Sequence, residues 1–442
     1  MGKVVYKKPR LALKEKTKRS TKSTLPKQKI IVNAQRVAQQ LAMYQISENL
    51  DFKGVDTQYG THAIHTYVAA MVPQLADILI TTYVPRGEKV LDPFCGGGAV
   101  LTECVRNHRM AIGSDINPLA LLIAKVKSTY VDRAELSEAI HYVHIASIRN
   151  LDGSLSFPEN YNLDYWFLPS TVAELTSIIR VIKECELTHR FSSDVLDVLK
   201  IAFSGSVRDV MLTYRNEVRL RRMEPDDLRR FHPKALDSFA SRGKLAIDRI
   251  PNLPKSAHPK VIESLVQNLP FKNEEFHSII CSPPYGDERN GVSYLQFSKY
   301  MLYWLGFSRE EVIMSRKKTL GSSSATIELP STTLERAAKA IDKKDKDDNW
   351  LNFYREYYQG LAQMARVTRE YVIIVIGNRV LKQTIIENGK VTVELMDSLG
   401  VKLFKHLQRT LPSKRLPKLR REDNHGYGGA INKEDILIFT RK

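Results

Sequence analysis

The stretch Lys89-Val-Leu-Asp-Pro-Phe-Cys-Gly-Gly-Gly98 decides the fold of this chain. An apolar strand, Lys89–Leu91, runs directly into a glycine-rich turn, and the residues from Ala99 to about Asn107 have helical spacing. A glycine turn between a strand and a helix lets a ligand approach the backbone closely and leaves helix N–H groups directed at it. The stretch therefore predicts the first half of a nucleotide-binding β-α-β unit.

The residues that follow complete this unit. A second strand, Met110–Ser114, ends at Asp115, and Asn117-Pro118 opens a further helix through about Lys127. An acid at the end of the second strand can accept both hydroxyls of a ribose. The glycine turn is not GxGxxG and no Walker lysine follows it, which argues against a dinucleotide or ATP.

Beyond this unit the chain divides into four parts. Residues 1–45 are expected to be a disordered basic arm, and residues 46–129 the ligand-binding half of an α/β domain. Residues 130–255 have mainly helical periodicity, which predicts a helical lobe inserted into the fold. Residues 256–442 are expected to form the second half of the domain, with a polar, mobile loop at about 312–349.

Several further elements are predicted in that second half. A helix is expected near 352–366, and the strands are expected at Val261–Ile262, Phe276–Cys281, Tyr371–Ile376, Val401–Gln408 and Asp435–Phe439.

The composition of the chain indicates which class of partner it binds and in which cellular compartment it works. Lys and Arg total 67 against 49 acidic residues, a net charge of +18 that favours a polyanionic partner. The four cysteines form no CxxC pair and have no histidine cluster beside them, so we expect no disulfide framework and no metal site. No apolar run reaches the roughly 18 residues of a membrane span, and an apolar signal core is absent, which favours the cytoplasm.

A second motif, Ser282-Pro-Pro-Tyr285, comes directly after the predicted strand Phe276–Cys281. Two prolines fix an extended turn without N–H donors, so their carbonyls are free to accept hydrogen bonds from outside. The tyrosine adds an aromatic face. This combination suits a flat ligand that carries an amino group.

Taken together, DPFCGGG (92–98), SDINPLA (114–120) and SPPY (282–285) resemble the amino-methyltransferase branch of the class I S-adenosylmethionine-dependent enzymes. The resemblance covers residues 59–127 and 261–376. It implies a Rossmann-like α/β fold with a mostly parallel seven-stranded sheet, and S-adenosyl-L-methionine as cofactor. SPPY in particular resembles the cytosine-N4 DNA methyltransferases, whereas DPPY is more typical of adenine-N6 enzymes.

The resemblance also assigns site residues. It implies that the target amine is held by Ser282, Pro283, Pro284 and Tyr285. It implies that the cofactor is held by Asp92, Pro93, Phe94, Cys95, Gly96, Gly98, Asp115, Ile116, Tyr67 and Thr61. Family members often have an acid after the third strand that contacts the adenine, and the corresponding stretch, 263–268, does not place one clearly.

The expected chemistry is positioning and electrostatics. The Ser282 side chain and the Pro283 carbonyl would accept the two hydrogens of the amine, which aims its lone pair at the methyl group. Tyr285 would stack on a base flipped out of its duplex. Cytosine-C5 enzymes instead need a thiolate from a Pro-Cys dipeptide, which this chain lacks.

Double-stranded DNA is the expected partner, and the inserted lobe is the candidate target-recognition region. Its basic stretch contains the candidate DNA contacts Arg215, Arg219, Arg221 and Arg222. A bacterial or archaeal restriction-modification setting, with a cognate restriction endonuclease, is implied by the resemblance alone.

Three alternatives stay open. Adenine-N6 methylation would use the same motifs with a different base. Transfer-RNA guanine-N2 methyltransferases share similar motifs but usually carry an RNA-binding module ahead of them. A noncatalytic nucleic-acid-binding scaffold is the third, although such copies typically lose the glycine loop or the PPY motif, and both are intact here.

Overall fold

A computed structural model describes residues 50–151, 161–214, 217, 220–286, 294–322, 326–342, 349–382, 384–411 and 433–441. The predicted basic arm at 1–45 lies outside the described residues, as do Arg215 and Arg219.

Nine strands are present in the described residues. They are β1 Lys89–Asp92, β2 Met110–Asp115, β3 Lys260–Glu263, β4 Phe276–Cys281, β5 Thr368–Gly377, β6 Arg379–Leu381, β7 Thr384–Ile386, β8 Lys402–Thr410 and β9 Lys433–Thr440. Seven of them form one sheet in the order β3-β2-β1-β4-β5-β9-β8, and β6 pairs with β7 as a separate hairpin. The first five strands pair in parallel, and β9 lies antiparallel between β5 and β8. The mixed α/β class with a mostly parallel seven-stranded sheet is confirmed and is consistent with a Rossmann-like fold.

The direction in which the chain crosses the sheet fixes the location of the site. From β1 the chain moves outward to β2 and β3, and it then returns to place β4 on the other side of β1. Ligands of open parallel sheets bind at the carboxyl ends of the strands where the order reverses in this way. Because β1 ends at Asp92 and β4 ends at Cys281, the glycine loop and SPPY emerge side by side.

Helices cover both faces of the sheet and build the lobe. In the first half they are α1 Pro73–Tyr83, α2 Ala99–Arg106 and α3 Pro118–Ser128. The lobe contains α4 Arg133–Arg149, α5 Leu163–Trp166, α6 Pro169–Leu187, α7 Ser193–Val210, α8 Pro225–Arg230 and α9 Ala235–Arg249. The second half contains α10 Tyr294–Trp304, α11 Arg309–Lys317, α12 Thr332–Asp342, α13 Leu351–Val367 and α14 Asn388–Ser398.

The core of the lobe is continuous with α3 and α10. Phe167, Phe203 and Trp304 are almost completely buried and belong to one apolar cluster with Leu119 and Ile123 of α3. Phe167 and Phe203 both contact the Trp304 ring edge-on, at centroid distances of 5.9 and 6.2 Å. The lobe is therefore packed firmly onto the helices that border the site.

The prediction of a mobile loop at about 312–349 is wrong over much of that range, because two helices lie within it. Residues 309–317 form α11, which begins with a capping box between Ser308 and Glu311. Residues 332–342 form α12, and within it Leu334, Ala337 and Ile341 are buried at helical spacing. The sequence prediction missed α12 because only one face of this helix is apolar and the rest of the segment is polar. Residues 323–325 and 343–348 lie outside the described part of the chain.

Gly98 joins the glycine loop to α2 under tight packing. Its φ of +77° lies in the left-handed region, and an added Cβ atom would lie 2.6 Å from the backbone Cα of Ala124 in α3. Only glycine satisfies both the backbone angle and the close approach of α3. Gly98 therefore sets the spacing between the loop and the helix behind it.

We predict that Gly98→Ala destabilises the protein by at least about 2 kcal/mol more than Gly87→Ala, because overpacking is added to backbone strain. Gly87 is the matched control, since its φ is +82° and nothing lies within 4 Å of the position of its Cβ. Urea unfolding of both variants measures the difference. Equal losses of unfolding free energy in the two variants would show that the close approach of α3 adds nothing to the cost of the Gly98 substitution.

Candidate active site

A cleft lies over the carboxyl ends of β1 to β4 and encloses about 1000 Å³, its open mouth included. It brings the two sequence motifs together. The predicted site residues that line it are Tyr67, Asp92, Pro93, Phe94, Cys95, Gly96, Asp115, Ile116, Ser282 and Pro284. Sequence reasoning did not single out the further lining residues Asn117, Gln267, Tyr294 and Lys318.

Asp115 holds the glycine loop against the end of β2. Its Oδ2 accepts a hydrogen bond from the Gly96 backbone N–H at 2.9 Å, and its Oδ1 accepts one from the Asn117 N–H at 2.9 Å. Burial raises the pKa of this carboxyl, and the backbone hydrogen bonds oppose that change. Each oxygen retains a lone pair, so the group can also accept hydroxyls from a ligand.

Tyr67 closes one wall of the cleft over the glycine loop. A Cβ at Gly97 would lie 2.6 Å from Tyr67 Cβ, so the loop and the tyrosine are in direct contact. The Tyr67 hydroxyl accepts a hydrogen bond from Asn117 Nδ2 at 3.0 Å, and the same nitrogen donates to Ser298 Oγ at 2.8 Å. Asn117 thereby ties this wall to α10.

Thr61, a predicted cofactor contact, is not among the residues that line the cleft. Its hydroxyl donates to the backbone carbonyl of Lys127 at 2.6 Å, which anchors the segment before the glycine loop to the end of α3. His62 Nε2 lies 2.7 Å from Glu103 Oε1 in a buried pair that anchors the same segment to α2. Burial lowers the pKa of His65 to about 3, so this ring is neutral. The contacts of Thr61 and His62 therefore position this segment against α2 and α3.

Gly98 also lies outside the cleft lining, where it supports the loop from behind as described above.

Asp92, at the end of β1, is a buried acid of the site. It is 4% exposed, and its carboxylate accepts a hydrogen bond from the Phe94 N–H at 3.0 Å. Burial raises its pKa to about 8, to which the charge of Asp115 contributes. Asp92 therefore carries a proton at neutral pH in the free protein.

This shift makes stability depend on pH. Because the folded pKa is raised from 3.8 to about 8, the folded protein keeps a proton that the unfolded chain loses over this range, and stability falls as the pH rises through it.

We predict that Asp92→Asn is more stable than the wild type by up to about 5 kcal/mol at pH 8, with the difference vanishing near pH 4. Denaturant unfolding across this range measures it. Asp237→Asn, an exposed position on α9, should follow the wild-type profile. Parallel profiles for Asp92→Asn and the wild type would contradict the assignment.

The SPPY loop follows the end of β4, and only two of its four residues face the cleft. Ser282 and Pro284 face the cleft, whereas Pro283 is buried and Tyr285 lies outside the lining. The Tyr285 ring packs on the end of β5, since a Cβ at Gly377 would lie 2.8 Å from Tyr285 Cε2. Ser282 Oγ and the Tyr285 hydroxyl are 3.4 Å apart.

Two residues that the sequence did not reveal hold Tyr285. Its hydroxyl donates to Glu434 Oε1 at 2.8 Å, and Arg409 Nε donates to Glu434 Oε2 at 2.6 Å. Both partners are less than 10% exposed. Burial and the nearby Glu434 raise the pKa of Tyr285, so the phenol stays protonated. No local motif marks Glu434, because it comes from the antiparallel strand β9, 149 residues away.

The cleft continues past the end of β3. Ser264, Leu265, Val266 and Gln267 line it there, and Gln267 Oε1 is shielded from solvent without a hydrogen-bond partner among the described residues. Glu263, the only acid in this stretch of sequence, is not in the lining and pairs with Lys318 Nζ at 2.5 Å. The buried amide oxygen is an acceptor that a ligand can complete.

The candidate DNA contacts Arg221 and Arg222 lie on the lobe and outside the cleft. Arg222 is stacked 4.4 Å from the centroid of the Tyr165 ring, and Arg221 is 4.3 Å from that of Tyr214. Arg221 is exposed and also forms an ion pair with Glu217. Tyr165 itself is 52% exposed, so this part of the lobe presents aromatic and guanidinium surfaces together.

The four cysteines are free and buried. In the described ranges, no three His, Cys, Asp or Glu side chains come together in a way that would hold a metal ion. The same ranges contain no helix with the length and apolarity needed to span a membrane.

A family model and a full-length relative were found for this chain. The N6_N4_Mtase model, described as DNA methylase, matches residues 3–126. The Type II methyltransferase M.MvaI of Kocuria varians is 29% identical over 432 residues, which cover 90% of this chain and 94% of that protein. These matches support a class I DNA methyltransferase. The methyltransferase family and fold in turn imply the use of S-adenosylmethionine.

Two further similarities are more limited. The Type II methyltransferase M.MjaII of Methanocaldococcus jannaschii is 34% identical over 79 residues, 18% of this chain and 15% of that protein. The rRNA methyltransferase aviRa of Streptomyces viridochromogenes covers 89% of this chain and 96% of its own, with 11% identity and a TM-score of 0.30.

Proposed function

We propose that this methyltransferase transfers a methyl group from S-adenosyl-L-methionine to the exocyclic N4 amine of cytosine in double-stranded DNA. The observation that carries the proposal is the placement of SPPY. Ser282 and Pro284 line the same cleft as Asp115 and the glycine loop. A cofactor held by the loop and an amine held by SPPY would therefore meet in one space.

The residues of the cleft fit the proposed cofactor. Asp115 would accept the two ribose hydroxyls, and the glycine loop would lie against the amino-acid part beneath Tyr67. Leu265 and Val266 provide an apolar surface for the adenine. The Gln267 oxygen, which has no partner in the part of the chain that the structure describes, would accept the adenine amino group. Gln267 would thus replace the acid that the family often has after the third strand. When bound, the cofactor supplies an electrophilic methyl group on a sulfonium.

The chain's own groups would activate the amine. The lone pair of an aromatic amine is delocalised into the ring, so acceptors that bind both hydrogens favour a more tetrahedral nitrogen. The Ser282 side chain and the Pro283 carbonyl are the proposed acceptors, and Tyr285 is the proposed stacking partner of the flipped base. Glu434 fixes the Tyr285 hydroxyl and hence the orientation of the ring that would receive the base. The mechanism rests on positioning and electrostatics.

A thiolate mechanism is not supported by the geometry. Cys281 is completely buried and its pKa is raised by burial, so it lies in the core below the loop. Cys95 lines the cleft, but burial raises its pKa well above the usual range. Neither thiol is poised to attack a base.

The relatives support the setting that we propose. M.MvaI and M.MjaII are both Type II methyltransferases by name, which is why we propose a restriction-modification role and a cognate restriction endonuclease. Arg221 and Arg222, together with Arg215 and Arg219, remain the proposed DNA contacts of the lobe. Because the family model spans N6 and N4 enzymes, the choice of cytosine rests on Ser282 in place of an aspartate.

The test is to incubate the protein with tritiated S-adenosylmethionine and mixed-sequence duplex DNA, digest the DNA and identify the labelled nucleoside. We expect N4-methylcytosine from the wild type. Ser282→Ala should lose at least about 100-fold of the rate while it still binds the cofactor, because only the acceptor for the amine is removed. Ser241→Ala, an exposed change on α9, is the control that should keep full activity.

Label in a nucleoside other than N4-methylcytosine would change the proposed substrate. Label in N6-methyladenine keeps the mechanism and changes the base. Label in transfer RNA with none in DNA would reject the DNA proposal in favour of guanine-N2 methylation. Cofactor binding without transfer to any nucleic acid would reject the proposed reaction itself.

A further inference from the structure

Arg379 lies beside the SPPY loop, and nothing in the proposed reaction uses it. It is the first residue of β6, two residues after Gly377 at the end of β5. The end of β5 packs directly on the Tyr285 ring, as the 2.8 Å approach at Gly377 shows. Arg379 therefore leaves the sheet at the place where the SPPY loop is seated.

The guanidinium of Arg379 extends to the residue that follows SPPY. A Cβ at Gly286 would lie 3.0 Å from Arg379 Nη1 and 3.1 Å from Phe353 Cδ1. Arg379 Cζ is 5.9 Å from the centroid of the Phe353 ring, which is almost fully buried. Gly286 has a φ of +88°, so both its backbone and its lack of a side chain accommodate this contact. The phenylalanine and the loop hold the guanidinium in place.

Its hydrogen bonds are incomplete. Arg379 Nη1 is shielded from solvent and has no hydrogen-bond partner among the described residues. The nearby Arg409 differs, since its Nε donates to Glu434. Buried donors in proteins are nearly always paired, and an unpaired one costs on the order of 1–3 kcal/mol. Arg379 as a whole is only partly buried, so another part of its side chain is open to a partner from outside.

The chemistry of the group selects the partner. A guanidinium has donors only, so it cannot accept a hydrogen from the target amine. Its planar fork matches the oxygens of a phosphodiester, with which it forms charge-assisted hydrogen bonds. A base that enters the cleft brings its own flanking phosphates to the SPPY loop. We propose that Arg379 binds a phosphate oxygen next to the flipped nucleotide, an inference that rests on the proposed function.

The experiment measures DNA affinity against salt concentration for Arg379→Gln, with Arg369→Gln as the matched control. Arg369 lies at the opposite end of β5, where it is paired with Glu88. A mixed-sequence duplex is the probe. Arg379→Gln should bind about tenfold more weakly and reduce the slope of log K against log salt by about 0.9, the value for one lost phosphate contact. Arg369→Gln should change the slope little, and both variants should bind S-adenosylmethionine normally.

Arg379→Lys separates a contact from a structural role. It keeps the charge, so the salt slope should be restored while the affinity recovers only in part, because the fork is lost. An unchanged slope in Arg379→Gln would overturn the inference, as would weakened cofactor binding with a normal slope. Methyl transfer to DNA by the wild type is measured in the same preparations. Absence of that transfer rejects the proposed function, whereas transfer together with an unchanged slope rejects only the role of Arg379.

Discussion

The parallel pairing of β1 with β2 on one side and with β4 on the other is the constraint on which the site depends. It brings three loops to one edge of the sheet, although they are far apart in sequence. The glycine loop follows β1, Asp115 ends β2 and SPPY follows β4. A ligand that spans the first two loops must extend towards the third. The inserted lobe of more than a hundred residues does not disturb this arrangement, because it packs on α3 and α10 behind the cleft.

Hydrogen bonds between distant elements then fix the loops. Asp115 binds the glycine loop through the Gly96 N–H, and Asn117 links Tyr67 to Ser298 on α10. On the other side, Glu434 links Tyr285 to the antiparallel edge of the sheet. The cleft walls are therefore rigid and polar at selected points while most of the lining is apolar. Such a site favours positioning of its ligands over covalent participation.

Much of this could be predicted from the sequence, for identifiable reasons. The strands around DPFCGGG and SPPY are short apolar runs bounded by glycine or proline, and their limits were predicted closely. The helix α12 was missed because its apolar stripe is narrow within a polar segment. The hairpin of β6 and β7, with three residues in each strand, has no periodicity to detect.

In the site, too, the residues that lie in sequence motifs could be predicted, whereas those brought in by the tertiary fold could not. Most of the predicted motif residues line the cleft, and Gly98 and Tyr285 support it from outside the lining. The positions of Gln267, Glu434 and Arg379 depend on the tertiary fold and could not be predicted from local pattern. Thr61 was expected at the cofactor because its segment resembles a lid, and the structure places its hydroxyl on the backbone carbonyl of Lys127. Local pattern indicates which loops carry chemistry. Local pattern does not indicate which side chains from distant parts of the sequence form hydrogen bonds with these loops.

The most direct test of the central claim is a crystal structure with a nonreactive S-adenosylmethionine analogue and a duplex that contains a methylatable site. We expect the ribose hydroxyls to lie on Asp115 and an extruded cytosine to have its N4 within hydrogen-bonding distance of Ser282 Oγ. An analogue bound outside the glycine loop, or a base that enters without approaching Ser282, would contradict this expectation.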